Sequence, residues 1–512
     1  MTKTRDLANL GGGFIQAGTG AQQRTVESKL QDAITVEDFG AVGDGTTDDS
    51  AAFLAMLSAT NGKLRLLDKE YLVNTFNVSS YDRIEIVGTV TPQPNAARTK
   101  LQNGSIIIGG INIRANDVYF KNFGLDFGPA RTVTRTDGIV ANAKIAELGN
   151  VAYIENVASL GVADGTLTHG FLIQGYEQNI FDNLFAVNHG YGVVIKGRQG
   201  IISNIRTETT VQSGLFIKGD TGASTADVGD GTAFEIVANN IISIFDAANT
   251  TGVGVYVQSA TDNAGKVLIN NVCQIRGQAP VYLLSGSTPL GNKANKVVFN
   301  NVYSEYAQYG SRLNGYVDNC TINNVVAFNP LTGLAITMGA FTENYTITNI
   351  NLIIDDPTIV GTRCMEFFGT GSFDNITVQN STSPMEIFVQ QQFLDTVRTG
   401  TISGDCFITG EGVLTGINGT VVDATYPAKL KINPDSTIKL SGKLDLTAAT
   451  NKFLCNLPVT TNKDFLFSCG GVDSTGTYVV VPVRLNSFQL SIEPSLPAGF
   501  QSLDLSNITF NM

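Results

Sequence analysis

The chain has 512 residues, a formal net charge of −12 and only 15% charged residues, with 54 glycines and no tryptophan. An acidic chain without clusters of Lys and Arg is not built to hold nucleic acid, whose phosphates are bound through such clusters. Low charge with abundant Gly, Asn, Thr, Val and Ile points to many short strands joined by tight turns, with helix scarce. The six cysteines, Cys273, Cys320, Cys364, Cys406, Cys455 and Cys469, are far apart without Cys-x-x-Cys spacing and read as buried reduced thiols. The N-terminus lacks an apolar signal core and no apolar run is long enough to span a membrane. The expectation is a protein made in a cytosol that does not leave by the usual secretory signal and does not insert in a membrane.

Residues 1–34 are polar and Gly-rich and read as an extended connector. Residues 35–59, TVEDFGAVGDGTTDDSAAFLAMLSA, combine turn glycines (Gly40, Gly43, Gly45) with Asp48 or Asp49 as N-cap to a short apolar helix carrying Ala51, Ala52, Leu54, Ala55 and Leu57. A phosphate-binding loop is the weaker reading, because the order is G-x-x-G-x-G and no strand of a βαβ unit precedes it. From about residue 60 short strands follow, and then a repeat of the form apolar, any, Asn, apolar. It runs FKNF (120–123), IENV (154–157), FDNL (181–184), ISNI (202–205), ANNI (238–241), INNV (269–272), FNNV (299–302), INNV (322–325), ITNI (347–350) and FDNI (373–376).

Its asparagines recur every 21 to 36 residues, enough for three short strands and three turns, one rung of a parallel solenoid. A second element, HGFLIQG, YGVVIKG, SGLFIKG and VGVYVQS, falls between the repeats over 169–259. The apolar residues flanking each Asn are expected to point inward. The asparagines are expected to form a ladder along the axis that satisfies amides otherwise buried, with no catalytic role. A hairpin-built sandwich fits less well, because the intervals are too long for hairpins. Insertions at 220–232, 259–265 and 285–295 all follow the second element and would wall a groove along the solenoid. After about residue 410 the repeat fades, and 420–512 reads as a separate antiparallel β-sandwich-like domain.

The "DFGAVGDG...DD" segment, followed by a helix and many short strands, resembles the opening of pectate-lyase-like right-handed β-helices. With the upstream FIQAGTGAQQRTVESKLQD it resembles more narrowly the bacteriophage tailspikes and capsule depolymerases. The resemblance implies an all-β, right-handed parallel β-helix in a homotrimer. Residues 1–34 would attach to other virion tail proteins, 35–115 would form the opening turns and cap, 116–410 the solenoid, and 420–512 a module for trimerisation or carbohydrate binding. It further implies action at the bacterial surface on a capsule, O-antigen or exopolysaccharide.

Hydrolysis of such a polymer uses two carboxyl groups, and acids at equivalent positions of adjacent rungs are one strand spacing apart. The residue before the repeated Asn alternates outward, which offers Glu155 and Asp182 on consecutive rungs, flanked by Lys121 and Ser203. Two residues after the Asn, Phe185, Arg206 and Tyr303 are candidates for stacking on and hydrogen-bonding a sugar. A second carboxylate pair is Glu208 with Asp246, slightly out of register. Glu305, in the tyrosine-rich YSEYAQYGSR, is a third candidate carboxylate and a sugar-binding candidate; three rungs separate it from Glu208, so each would need another subunit's carboxylate as partner.

β-Elimination of a uronate is the main chemical alternative, through His169 or His189 with Tyr191, Lys196 and Arg206 nearby. A non-cleaving adhesin is the other alternative. No G-x-S-x-G supports a serine esterase, and no ligand motif supports a metal or cofactor. Asp220, Asp227 and Asp230 read better as a solvated loop than as a Ca²⁺ site.

Overall fold

The computed structural model describes residues 13–14, 24–25, 34–74, 76–127, 141–161, 169–196, 199–208, 210–218, 235–258, 266–284, 294–314, 317–338, 342–343, 345–359, 363–367, 371–380, 385–390 and 398–399. Towards the C-terminus it describes 402–404, 406–413, 415–416, 421–422, 429–432, 437–441, 443–447, 449, 453–456, 465–475, 477–486, 489–492, 500–505 and 508–511.

The chain opens its described core with the turn and short helix that the sequence predicts. Thr35 opens a turn of 3-10 helix, Val36–Phe39, which ends at Gly40 in the left-handed region at φ 98°, and helix α1 follows at Ser50–Thr60. Asp49 precedes α1 but does not cap it. Its buried carboxylate accepts instead from the backbone N–H of Val42 at 2.7 Å and of Gly43 at 3.2 Å, fastening the glycine turn. Asp48 takes the N–H of Ser50 at 3.0 Å. Phe53, Met56 and Leu57 on α1 join one apolar core that continues to Met385, so the helix closes the first rungs against water.

Each rung contributes parallel strands in register. Phe120, Ile154, Phe181, Ile202, Ala238, Ile269, Phe299, Ile322 and Ile347 stack one above another through successive strand pairs, and all are buried. A typical rung consists of Gln199–Glu208, bent at Asn204 into two short strands, and Ser213–Lys218 as the third. This is a right-handed parallel β-helix.

The repeated asparagines make the bend. All ten adopt positive φ between 52° and 57°, a conformation Asn tolerates better than other non-glycine residues. Their side chains form the expected ladder: Asn156 to Asn122 at 3.0 Å, Asn183 to Asn156 at 2.7 Å, then Asn240, Asn271, Asn301 and Asn324 each donating to the rung before at 3.0 Å. The ladder runs along the surface, however. Asn183, Asn204, Asn240, Asn271 and Asn301 are exposed, because a left-handed bend turns its own side chain out while the flanking apolar residues turn in. The expectation of buried amides is corrected accordingly.

On the outer face of the second element, aromatic rings stack along the axis from His169 through Tyr191, Phe216 and Tyr256 to Tyr282, at 4.8 to 5.6 Å between centroids. The insertions at 220–232 and 259–265, and 285–293 of the third, lie outside the described residues, as do Asp220, Asp227 and Asp230. Among the described thiols, Cys320, Cys364 and Cys469 are buried as expected. Cys273 is only half-buried, since it occupies the outward column between Ile242 and Tyr303.

The last solenoid strand, Cys406–Val413, pairs in parallel with Met385–Gln390 and antiparallel with Lys429–Ile432. From there the pairing is antiparallel, and an eight-stranded antiparallel sheet is built from strands between Thr415 and Asp504. No helix among the described residues is long and apolar enough to cross a membrane.

Candidate functional site

Period-two alternation carries the residue before each bend outward. That column reads Lys121, Glu155, Asp182, Ser203, Asn239, Asn270, Asn300, Asn323. Glu155 and Asp182 are directly opposed on adjacent strands, about 4.8 Å apart at the backbone. Further along, the same positions pair as amides, Asn270 to Asn239 at 2.9 Å and Asn300 to Asn270 at 3.0 Å. Two carboxylates have no N–H to exchange and must take donors from elsewhere.

Glu155 Oε2 accepts from Tyr153 Oη at 2.7 Å and from Lys121 Nζ at 2.9 Å. Asp182 Oδ1 accepts from Asn204 Nδ2 at 2.7 Å. Asn204 thereby gives its Nδ2 to a carboxylate rather than to Asn183, and the outer ladder breaks between the Asp182 rung and the next. The Tyr153 hydrogen bond and the Lys121 ammonium hold the Glu155 carboxyl below the usual carboxylate range, and the same hydrogen bond pushes the Tyr153 phenol up. Tyr153 stacks on Tyr119 at 5.9 Å, with the Arg83 guanidinium 3.9 Å over the Tyr119 ring. Tyr119 and Tyr153 escaped the sequence reading. The signal was available, since a residue two before an outward position faces outward too.

On the other side of the bend, the outward residues two past the Asn include Phe185 and Arg206 as direct neighbours. They line a cleft of about 440 Å³ with Thr91, Gln93, Asn95, Arg98, Asn183 and Glu208. Its far wall is a hairpin, Gln93–Pro94 paired with Leu101–Gln102. The hairpin is rooted at Leu101 N–H on the buried Asp126 at 2.8 Å and at Thr91 Oγ1 on the Asn156 carbonyl at 2.8 Å. The wall thus comes from residues 91–102, a source the sequence reading did not foresee.

Glu208 is only 3% exposed at its side chain and sits between two guanidinium groups. Its Oε2 accepts from Arg98 Nε at 2.7 Å and from Arg98 Nη2, and its Oε1 from Arg206 Nε at 2.7 Å and from Arg206 Nη2. A carboxylate so enclosed presents no open face to a sugar. Its partnership with Asp246 as a catalytic pair is not formed. Glu208 pairs in register with Ile244, and Asp246 lies exposed two residues beyond, in the following turn.

Tyr303 and Glu305 share a strand, their side chains 3.4 Å apart, three rungs from Arg206 and Glu208. His189 is fully buried against Ser159 Oγ at 3.1 Å, which removes it from contact with any substrate. His169 is stacked on Tyr191.

In sequence and fold this parallel β-helix is similar to phage tailspikes and capsule depolymerases. In sequence the chain is similar to the "Depolymerase, capsule K30/K69-specific" of Klebsiella phage K64-1, 28% identical over 315 residues. The match spans 58% of this chain and only 37% of that protein's length. Among solved structures, the tailspike of E. coli bacteriophage HK620 in complex with a pentasaccharide aligns over 99% of this chain and 100% of its own, at 11% identity and a TM-score of 0.44. Tailspike protein 3 of bacteriophage CBA120 aligns over 80% of this chain and 66% of its own, at 16% identity and a TM-score of 0.37. No family model matches the sequence.

Proposed function

We propose that this chain is part of a phage tailspike, a homotrimer on the virion tail, that binds a bacterial surface polysaccharide and depolymerises it by endo-glycosidic hydrolysis. The observation that carries this reading is the grouping on consecutive rungs, about one bend, of two opposed carboxylates, a stacked tyrosine pair and an arginine-lined cleft. The name of the phage relative, a capsule-specific depolymerase, supports the same substrate class.

Glu155, held ionised by Tyr153 and Lys121, serves as base or nucleophile, and Asp182 protonates the leaving oxygen. Tyr153, backed by Tyr119, offers a ring face to a sugar, and Phe185 and Arg206 hold the chain across the bend. Tyr303 and Glu305, three rungs or about 14 Å further along the axis, contact a more distant part of the same polymer.

Incubating the protein with a panel of capsules tests the reading directly. Hydrolysis releases reducing ends without the absorbance of an unsaturated uronate. Appearance of that absorbance would instead establish β-elimination, and binding without release would establish an adhesin. Hydrolysis also has a pH signature. Activity that needs ionised Glu155 is lost as pH falls through its pKa, so with that pKa depressed the acid limb lies below the ordinary carboxylate range. Lys121→Met removes one of the two stabilising donors and is expected to move that limb upward, measured as kcat/KM against pH.

A further inference from the structure

We propose that the cleft between the 91–98 hairpin and the Phe185–Arg206 rungs is a seat for a carboxylate-bearing sugar, so that the polymer recognised is an acidic one. This rests on the reading of the chain as a polysaccharide-recognising protein, and deepens it. The charged residues lining the cleft are Arg98, Arg206 and Glu208, which sum to one positive charge on a chain whose net charge is −12. A polyanion is repelled by such a chain at long range, so capture has to come from local geometry.

That geometry is prepared in advance. Glu208 is buried and engages the Nε and one terminal nitrogen of each arginine, which fixes both planes. Each guanidinium has N–H donors beyond those given to Glu208, and the two side chains are 44% and 53% exposed. Planar forks of this kind match a carboxylate.

Arg98 is placed by its backbone as well. It sits at the hairpin tip with φ 53°, in a turn closed by Arg98 N–H on the Asn95 carbonyl at 2.9 Å, while Asn95 Oδ1 takes the N–H of Thr99 at 2.8 Å. Asn188 Nδ2 binds the Arg98 carbonyl at 2.8 Å from the solenoid side. A non-glycine residue persists in that conformation only where its surroundings over-determine it, a feature concentrated at ligand sites. Phe185, with the Arg206 guanidinium 5.7 Å from its ring, supplies an apolar face for the sugar ring whose carboxylate meets the forks.

The test is ligand-observed saturation-transfer NMR on the full chain, with sodium glucuronate against methyl glucoside at equal concentration. Glucuronate is expected to bind at least about tenfold more tightly and to weaken with added NaCl. Arg98→Gln and Arg206→Gln should each weaken it roughly tenfold, and Arg206→Lys nearly as much, because an ammonium keeps the charge without the fork. Equal binding of the two sugars by the unaltered protein overturns the proposal without recourse to any variant. So does unchanged glucuronate binding in the folded double variant. Glucuronate binding with no capsule recognised in the panel supports the carboxylate seat and sinks the proposed function. A capsule cleaved as fast after carboxyl reduction as before leaves the proposed function standing and sinks the seat.

Discussion

Glu155→Gln and Asp182→Asn are each expected to lower the rate of reducing-end release by roughly 10²–10⁴-fold, the usual contribution of a positioned acid or base. Both replacements keep shape and volume. The structural cost is small, because the Lys121–Glu155 pair is partly exposed, with the lysine at 45% and the glutamate at 20%, and pairs in such settings stabilise by about 0–1 kcal/mol. Melting temperature should therefore move little while activity collapses. Glu208→Gln is the informative contrast. It leaves Glu155 and Asp182 untouched but loosens Arg98 and Arg206, so it should raise KM with a much smaller effect on kcat. Full activity in both Glu155→Gln and Asp182→Asn would sink the assignment. A Glu208→Gln variant whose kcat falls as far as theirs would return Glu208 to the chemistry.

Much of this is legible in the sequence, for a physical reason. A solenoid repeats its local geometry, so a position counted from the repeated Asn has one facing throughout. Hence Lys121, Glu155, Asp182 and Ser203 could be placed in one column, and Phe185 and Arg206 in another, by alternation alone. The same counting would have found Tyr119 and Tyr153.

What alternation could not supply was Arg98, because its contact with Glu208 spans 110 residues and depends on a hairpin outside the repeat. Without Arg98, Glu208 reads as an outlying acid available for catalysis. With it, the carboxylate is consumed in organising two cations. The asparagines were misread in one respect for a related reason. Spacing reveals that they stack, but only the sign of φ tells whether the stack faces the core or the solvent.

Replacing Asn271 separates the two roles of such an asparagine. Its φ of 56° costs an ordinary residue roughly 1–2 kcal/mol, and it takes part in two ladder bonds of 3.0 Å, each with a net value of about 0.5–1.5 kcal/mol. Asn271→Gly keeps the bend and loses only the ladder, whereas Asn271→Ala adds the backbone cost and Asn271→Val a larger one, since β-branched residues are rare at positive φ. Unfolding rates at a fixed elevated temperature, the appropriate measure for a large solenoid, should rise in the order Gly, Ala, Val. If the Gly and Val variants unfold equally fast, the bend is not what selects Asn. Asn204 carries a third duty, because its Oδ1 accepts from Asn240 in the ladder while its Nδ2 goes to Asp182 and not to Asn183. Asn204→Gly should therefore match Asn271→Gly in unfolding rate but, unlike it, depress the rate of polysaccharide cleavage, as the carboxyl that must meet the leaving oxygen loses the group that aims it.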